Sequence, residues 1–423
     1  MQVFKQGFQR LFPVVLVFFT LALCAQAVTV EVGSCISGLV QFTSITDAIS
    51  HSPAGTTIDV CPGPYYEQIT INKQLTIRGV SVNGQNAAII LPPQSGMAAN
   101  AKDFDNNDSP IAAQVVVQGA TKVNLSDLIV DGSNNQINGC APDLQGVLFQ
   151  NASGTLNHVT VRNQYLAPNL NGCQSGEGIF VQTSSGKVSN LQVLASSVHG
   201  YQKNGITGND AGTTLTVNNS RVQGFGVVQP PAAAQNGIQI AFGADGTVIG
   251  NTVMDDVYGD PNTAIATGIL LYDAAETANI KVNGNTVGNT QGAVVIYTDT
   301  PGTGDGVTAR SNNIFATVSY DAIDVCTNSN DIEYNTIYDS ALSAVHLDAS
   351  YSEGSDNTVA NNKITDSGCA GILVDTGSSN DTINTNTFFD VPYTTPNGSC
   401  PPQGASKHNG VHGKAHLNPK GKK

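Results

Sequence analysis

One phrase returns along this chain at intervals that only a solenoid explains. A Gly or Ala followed by alternating aliphatic residues begins at Gly146, Gly178, Gly205, Gly237, Gly268, Gly292, Ala322, Ala344 and Gly371, at spacings of 22 to 32 residues. Periods in this range mark stacked units, none of which can bury its own apolar face alone. A second phrase, Asn-x-aliphatic or Asn-x-aromatic, falls between these at Asn251, Asn285, Asn312, Asn335, Asn362 and Asn386. One Asn per coil at the same corner can stack side-chain amides along the axis and pair groups that would otherwise be buried unsatisfied. Strand alternates with corner, there is no helical period, and the chain has no Trp. The expected fold is a single-stranded right-handed parallel β-helix of about ten coils with a short N-terminal capping helix.

The stretch from Ile45 through Cys61, Gly63-Pro-Tyr65-Tyr-Glu67 and Ile71 to Gly79 resembles the N-terminal cap and first coils of the pectin-lyase-like superfamily. The resemblance implies a short amphipathic helix plugging the open end, with Ala48 and Ile49 facing inward. A plug is physically required, because a terminal coil otherwise exposes strand edges and apolar core. Gly63 to Glu67 is also similar to a Gly-x-Tyr-x-Glu phrase of pectin methylesterases. The other esterase phrases are absent, so this segment reads as a coil corner. Asp255-Asp256 stands without the companion phrases of polygalacturonases, and Arg162, Arg221 and Arg310 fall in no pectate-lyase phrase. The resemblance therefore specifies architecture and leaves the reaction open.

The ends of the chain are read separately. Lys5 and Arg10, the apolar run Leu11 to Leu23 and the Ala25-Gln26-Ala27 triplet form an export signal over residues 1–27. The apolar run is short of the about 20 residues a membrane span needs. Residues 28–403 form the β-helix domain, and 404–423 form a basic tail with Lys407, His408, His412, Lys414 and His416, expected to be solvated and disordered. Removing Lys5 and Arg10 with the signal takes the formal charge from −14 to −16, which excludes nucleic acid as an expected partner. The protein is expected to be secreted, extracellular or periplasmic, without a membrane span, and monomeric.

Seven cysteines follow the signal, in a compartment that permits disulfides. Cys140 and Cys173 each close an Asn-Gly-Cys phrase just before a repeat Gly, so they occupy one loop position on adjacent coils. Cys35 with Cys61 would tie the first strand to the first coil, and Cys369 with Cys400 the last coil to the C-terminal segment. Cys326 is left over.

Strand alternation then sorts the repeat phrase into two faces. The first and third residues after the repeat Gly or Ala are aliphatic and point inward. The second and fourth point outward: Leu270 with Tyr272, Val294 with Ile296, Asp324 with Cys326, His346 with Asp348, and Leu373 with Asp375. Three carboxylates and an imidazole thus occupy consecutive coils of one exposed sheet, beside an apolar and tyrosine-bearing patch. Paired carboxylates are what glycoside hydrolysis requires. Asp348 and Asp375 are expected about 5 Å apart and Asp324 and Asp348 diagonally at about 8 Å, near an inverting separation. The catalytic expectation is Asp324, His346, Asp348 and Asp375, with Tyr272 and Tyr297, and also Tyr351, on the substrate. Calcium is the one cofactor the carboxylates suggest.

Two function classes remain. The first is an exported protein that acts on polysaccharide or cell-surface glycan along its exposed sheet, as a hydrolase, lyase or epimerase. The second is a non-catalytic extracellular binding or scaffold protein, with a periplasmic assembly factor as a variant of it. A carboxylate cluster also has an inert reading, as a solvated or ion-binding face.

Overall fold

The computed structural model describes residues 28–104, 108–276, 280–350 and 354–399. The expected signal segment, the basic tail, Cys400 and Tyr351 lie outside the described residues. The chain winds through three strands per coil, and each contributes to one of three long sheets of 14, 12 and 12 strands. A middle coil shows the pattern: Asp245–Ile249 joins the first sheet, Thr252–Tyr258 the second and Thr267–Tyr272 the third. Neighbours pair in parallel throughout, apart from a short antiparallel contact of Ala101–Lys102 with Pro110–Gln118. Eleven strands stack in the main path of the third sheet.

The repeat phrase lies on the third sheet, and pairing sets its residues in columns. Ile238, Ile269, Val294, Ile323, Val345 and Ile372 form one inward column, fully buried. Each such side chain stabilises by roughly 1.5–3 kcal/mol relative to exposure. The repeat Gly has a steric cause. A Cβ on Gly205 would lie 2.5 Å from the Gly237 carbonyl oxygen of the next coil. Where the chain later carries Ala293, Ala322 and Ala344 at this column, the coils accommodate a methyl group, and all three are fully buried.

The asparagine corner is a continuous amide stack. Each side-chain Nδ2 from Asn251 to Asn362 donates to the Oδ1 of the next Asn at 3.0 Å. The same Oδ1 also accepts the backbone N–H of the preceding Asn at 2.9–3.0 Å. The second Nδ2 proton reaches a strand carbonyl, Val282 for Asn312 and Ala309 for Asn335. The buried corner thereby satisfies its own donors.

The N-terminal end is closed by the helix Ile45–His51, which buries Ile45, Ala48 and Ile49 against the first coils. Ser44 caps it by accepting from the Asp47 N–H at 3.0 Å. Glu67 adds a second cap, accepting from the N–H groups of Ile45 and Thr46 at 2.9 and 2.8 Å. The Tyr-Glu corner phrase thus fastens the plug to the solenoid. Disulfides join Cys35 to Cys61 and Cys140 to Cys173. Cys369 is also disulfide-bonded. The partner expected for it, Cys400, lies outside the described residues. Cys326 is a free, buried thiol.

Candidate active site

The outward columns of the third sheet carry the chemistry. One column runs Leu270, Val295, Asp324, His346, Leu373 on successive strands. Asp348 and Asp375 follow the ends of their strands, and their N–H groups donate to Val325 and Leu347 at 2.9 and 3.0 Å, which keeps them in step with the coils. Asp321 lies two residues before its strand and is locked by accepting the Ser343 N–H at 2.6 Å.

These residues converge on His346. Its Nδ1 lies 3.2 Å from Asp321 Oδ2 and 3.5 Å from Asp324 Oδ1, and its Nε2 lies 3.2 Å from Asp375 Oδ1. Tyr320 donates its hydroxyl to Asp324 Oδ2 at 2.6 Å. The Cys326 thiol lies 3.5 Å from Asp348 Oδ2, and the Ser350 N–H donates to Asp348 Oδ1 at 2.7 Å. Asp375 has the open edge, its side chain 27% exposed against 1% for Asp324.

Burial and crowding separate the protonation states. Burial first, then the charges of Asp348 and Asp321, raise the Asp324 pKa to about 8. Burial alone would lower the His346 pKa, but the charge of Asp321 and hydrogen bonds to Asp321 and Asp375 raise it well above its usual value. Burial would raise the Asp375 pKa, yet the hydrogen bond and charge of His346 hold it below the ordinary carboxylate range. Near neutral pH the site therefore holds a protonated Asp324, an imidazolium and an ionised Asp375. Carboxyls driven apart in this way are equipped for opposite proton-transfer roles. Burial and the neighbouring carboxylates push the Cys326 thiol up, which makes it a poor nucleophile.

The structure brings together Asp324, His346, Asp348 and Asp375, and corrects three expectations about them. The face is not open: Asp324, His346, Asp348, Leu270 and Tyr272 are all buried, none above 8% exposed. For Leu270 and Tyr272 the cause is lateral packing, since Phe242, Tyr297 and Tyr320 pack against the cluster of Ala241, Leu270, Tyr272 and Val295. Second, Val294 and Ile296 point into the core, and Val295 with Tyr297 occupy the outer face. Gly292 pairs with Thr267 and not with Gly268, so the phrase on that coil is displaced by one residue. A slip of one reverses every side chain. Third, the diagonal pair is closer than expected: donor oxygens of Asp324 and Asp348 lie within 4.8 Å, as do those of Asp348 and Asp375. Both pairs thus lie close enough for the short carboxyl spacing that double displacement uses.

Tyr272 and Tyr297 stack with ring centroids 5.3 Å apart, and both donate their hydroxyls to Asp299. Upstream of them the same face is a buried amide network. Asn236 donates to Asn204 Oδ1 at 3.1 Å, Gln239 to Asn209 Oδ1 at 3.2 Å and Thr267 to Asn236 Oδ1 at 2.8 Å. Asp321 and Tyr320 are site residues the sequence reading passed over. The signal for Asp321 is the position just before the repeat Gly or Ala, which is polar in Gln145, Glu177, Asn204, Asn236, Thr267, Asp321 and Ser343.

Three groupings, Asp321–Asp324–His346, Asp324–Cys326–Asp348 and His346–Asp348–Asp375, each bring three donor atoms within 4.8 Å and have room for a cation. The oxygen-only shell that calcium prefers is interrupted in each by an imidazole or a thiol. A fourth grouping, Glu31 with Cys35 and Cys61, is closed by the disulfide between its two sulfurs.

Comparison with solved structures agrees with this architecture. The A-module of the mannuronan C-5 epimerase AlgE4 of Azotobacter vinelandii superposes with a TM-score of 0.51 at 13% identity, covering 87% of this chain and 94% of that one. The GH136 lacto-N-biosidase of Eubacterium ramulus gives 0.56 at 11% identity, covering 86% and 68%. The DFA-IIIase of Arthrobacter chlorophenolicus A6, solved with GF2, gives 0.51 at 11%, covering 79% and 84%. The chain has the pectin-lyase-like right-handed parallel β-helix fold. Within this β-helix, residues 231–395 match the family model described as NosD, periplasmic copper-binding protein, which is less than half of the chain. No curated protein matches the sequence.

Proposed function

We propose that this β-helix protein works outside the cytoplasm on glycan chains and cleaves a glycosidic bond at the Asp321–Asp324–His346–Asp348–Asp375 cluster. The observation that carries the reading is the pair Asp348 and Asp375, with carboxyl oxygens within 4.8 Å at the one open edge of the cluster, the second bonded to His346. Asp375, ionised and partly exposed, is the nucleophile that attacks the anomeric carbon. Asp348 beside it, supplied with the proton that Asp324 holds, protonates the leaving oxygen as that bond breaks, and water then releases the sugar from Asp375 with Asp348 taking the proton back. His346 positions Asp375, and Asp324 stores a proton next to Asp348. Tyr272 and Tyr297 line the approach from the preceding coils. Support comes also from neighbours of the same fold whose names state carbohydrate chemistry, and from the two disulfides, which suit an oxidising compartment.

The test is release of reducing ends from a panel of plant and bacterial polysaccharides by the wild type, Asp375→Asn and Asp348→Ala, with folding checked by circular dichroism. Turnover of one polymer, lost at least a hundredfold in both folded variants, is the expected result. Binding to a polymer without turnover by the wild type would replace the reaction with the scaffold reading. Tight binding of copper at the cluster, with no action on any glycan, would replace it with a metal-carrying role.

A further inference from the structure

A cleft lies on a different face from the cluster, at the corner between the first and second sheets. Its volume is about 530 Å³, within the range of about 300–1,000 Å³ that small-ligand sites occupy. Ile129, Thr160 and Ser197 form its floor on three successive strands, Ile129 pairing with Thr160 and Thr160 with Ser197. The corner residues Asp127 and His158 form one side. The turn at Gly84, Gln85 and Asn86 forms a further part of the lining. That part is fixed in place: Val82 and Gln85 bridge the turn, and Asn86 Nδ2 donates to the carbonyls of Leu128 and His158 at 3.3 and 2.6 Å, spanning two coils.

The one arginine lining the cavity is already paired. Arg162 lines it, yet its Nε donates at 2.7 Å to Asp131, which is buried. Asp127 faces His158 at 3.9 Å. No surplus positive charge is left for an anion, and the chain as a whole carries −14. What the lining offers is two hydroxyls, amide groups, one carboxylate and a small apolar floor. Hydroxyls that both donate and accept, attached to a compact ring, satisfy that set.

We infer that this cavity is a second carbohydrate site, which holds an uncharged sugar unit of a glycan chain apart from the reaction centre. It sits five coils before the Asp324 coil, about 24 Å along the axis at a strand spacing of about 4.8 Å. The inference does not depend on the proposed cleavage. A remote site on a different face tethers a long polymer and raises its effective concentration at the cluster, and adds nothing for a short fragment.

The experiment is calorimetric titration of the full-length protein with xylohexaose, cellohexaose, mannohexaose and hexagalacturonate, comparing the wild type with Ser197→Trp and Thr160→Trp. Each substitution fills the cavity from an outward-facing position and leaves the reaction cluster untouched. The expected result is binding of at least one uncharged hexamer, weakened tenfold or more in both variants, with unchanged circular dichroism and unchanged cleavage of short fragments. Wild-type binding retained in either folded variant overturns the inference. So does recognition of hexagalacturonate in place of the uncharged probes. A protein that binds through this cavity while cleaving nothing refutes the proposed reaction and leaves this site standing.

Discussion

Replacing Asp324 by Asn should make the protein more stable, and the gain should depend on pH. The substitution keeps the shape of the side chain and removes a carboxyl whose pKa rises from 3.8 to about 8 on folding. A raised acid pKa means that the folded state holds a proton the unfolded chain has released. Stability therefore falls as pH rises between 3.8 and about 8, by about 1.4 kcal/mol per pH unit. At pH 7, about three pH units into this window, burial of Asp324 costs about 4 kcal/mol; below pH 3.8 it costs nothing through this route. His346 acts with the same sign. Its folded pKa lies well above 6.5, so its contribution is complete below 6.5 and is lost as pH rises through the folded value. Urea unfolding of the wild type and Asp324→Asn from pH 4 to pH 9 separates the two. The variant should match the wild type at pH 4 and exceed it by about 4 kcal/mol at pH 7, while losing turnover. Parallel stability profiles for the two proteins would refute the assignment of Asp324 as a buried, protonated acid. A stabilising substitution that removes activity is the usual mark of a residue held under strain for function.

Other positions make further claims on the same structure. Asn312→Ala deletes two donated and two accepted hydrogen bonds and leaves the buried Asn285 N–H without its acceptor, so urea unfolding should show a loss of about 3–5 kcal/mol. Asn386→Ala, at the half-buried end of the stack, should lose about 1–2 kcal/mol because water replaces its partners. His346→Ala strands Asp321 and Asp375 without their cation and should cost about 3–5 kcal/mol at pH 7 in the same assay. Replacing Cys140 and Cys173 together by Ser opens a link across 33 residues and should lower stability by about 3–4 kcal/mol, read as a shifted denaturation midpoint.

The fold was legible because its determinants are local and periodic. The repeat Gly, the aliphatic alternation and the corner Asn each recur once per coil, and the stacked amides from Asn251 to Asn386 occupy the corner their spacing indicates. The reading failed where the period carries no information. Gly292-Ala-Val-Val-Ile-Tyr297 is apolar at nearly every position, so alternation cannot tell its two faces apart, and Val294 and Ile296, expected outside, point inward. Only pairing with Thr267–Tyr272 sets the phase. The site was half legible for a related reason. Asp324, His346, Asp348 and Asp375 lie within the phrase and could be placed by counting, whereas Asp321 and Tyr320 precede it. Their importance comes from contacts with a side chain 25 residues away and with a carboxyl four residues away. Burial of the outer face was not legible at all, because the cover is supplied by tyrosines and Phe242 brought from other coils.

The amide stack also has a direction. Every side-chain to side-chain bond in it runs from an Nδ2 to the Oδ1 one coil later, while the second Nδ2 proton returns to a strand carbonyl of the coil before. The row of side chains is thus a wire of aligned dipoles with a donor-facing and an acceptor-facing end, and it tolerates editing only in whole turns. A duplicated or deleted coil, cut Asn to Asn, presents a correct acceptor to its predecessor and a correct donor to its successor, whatever the length of the loops between. An edit of any other phase leaves a buried N–H facing a hydrocarbon. Chain length in this protein is therefore quantised at the corner and free everywhere else, which makes the coil the natural unit for lengthening or shortening it.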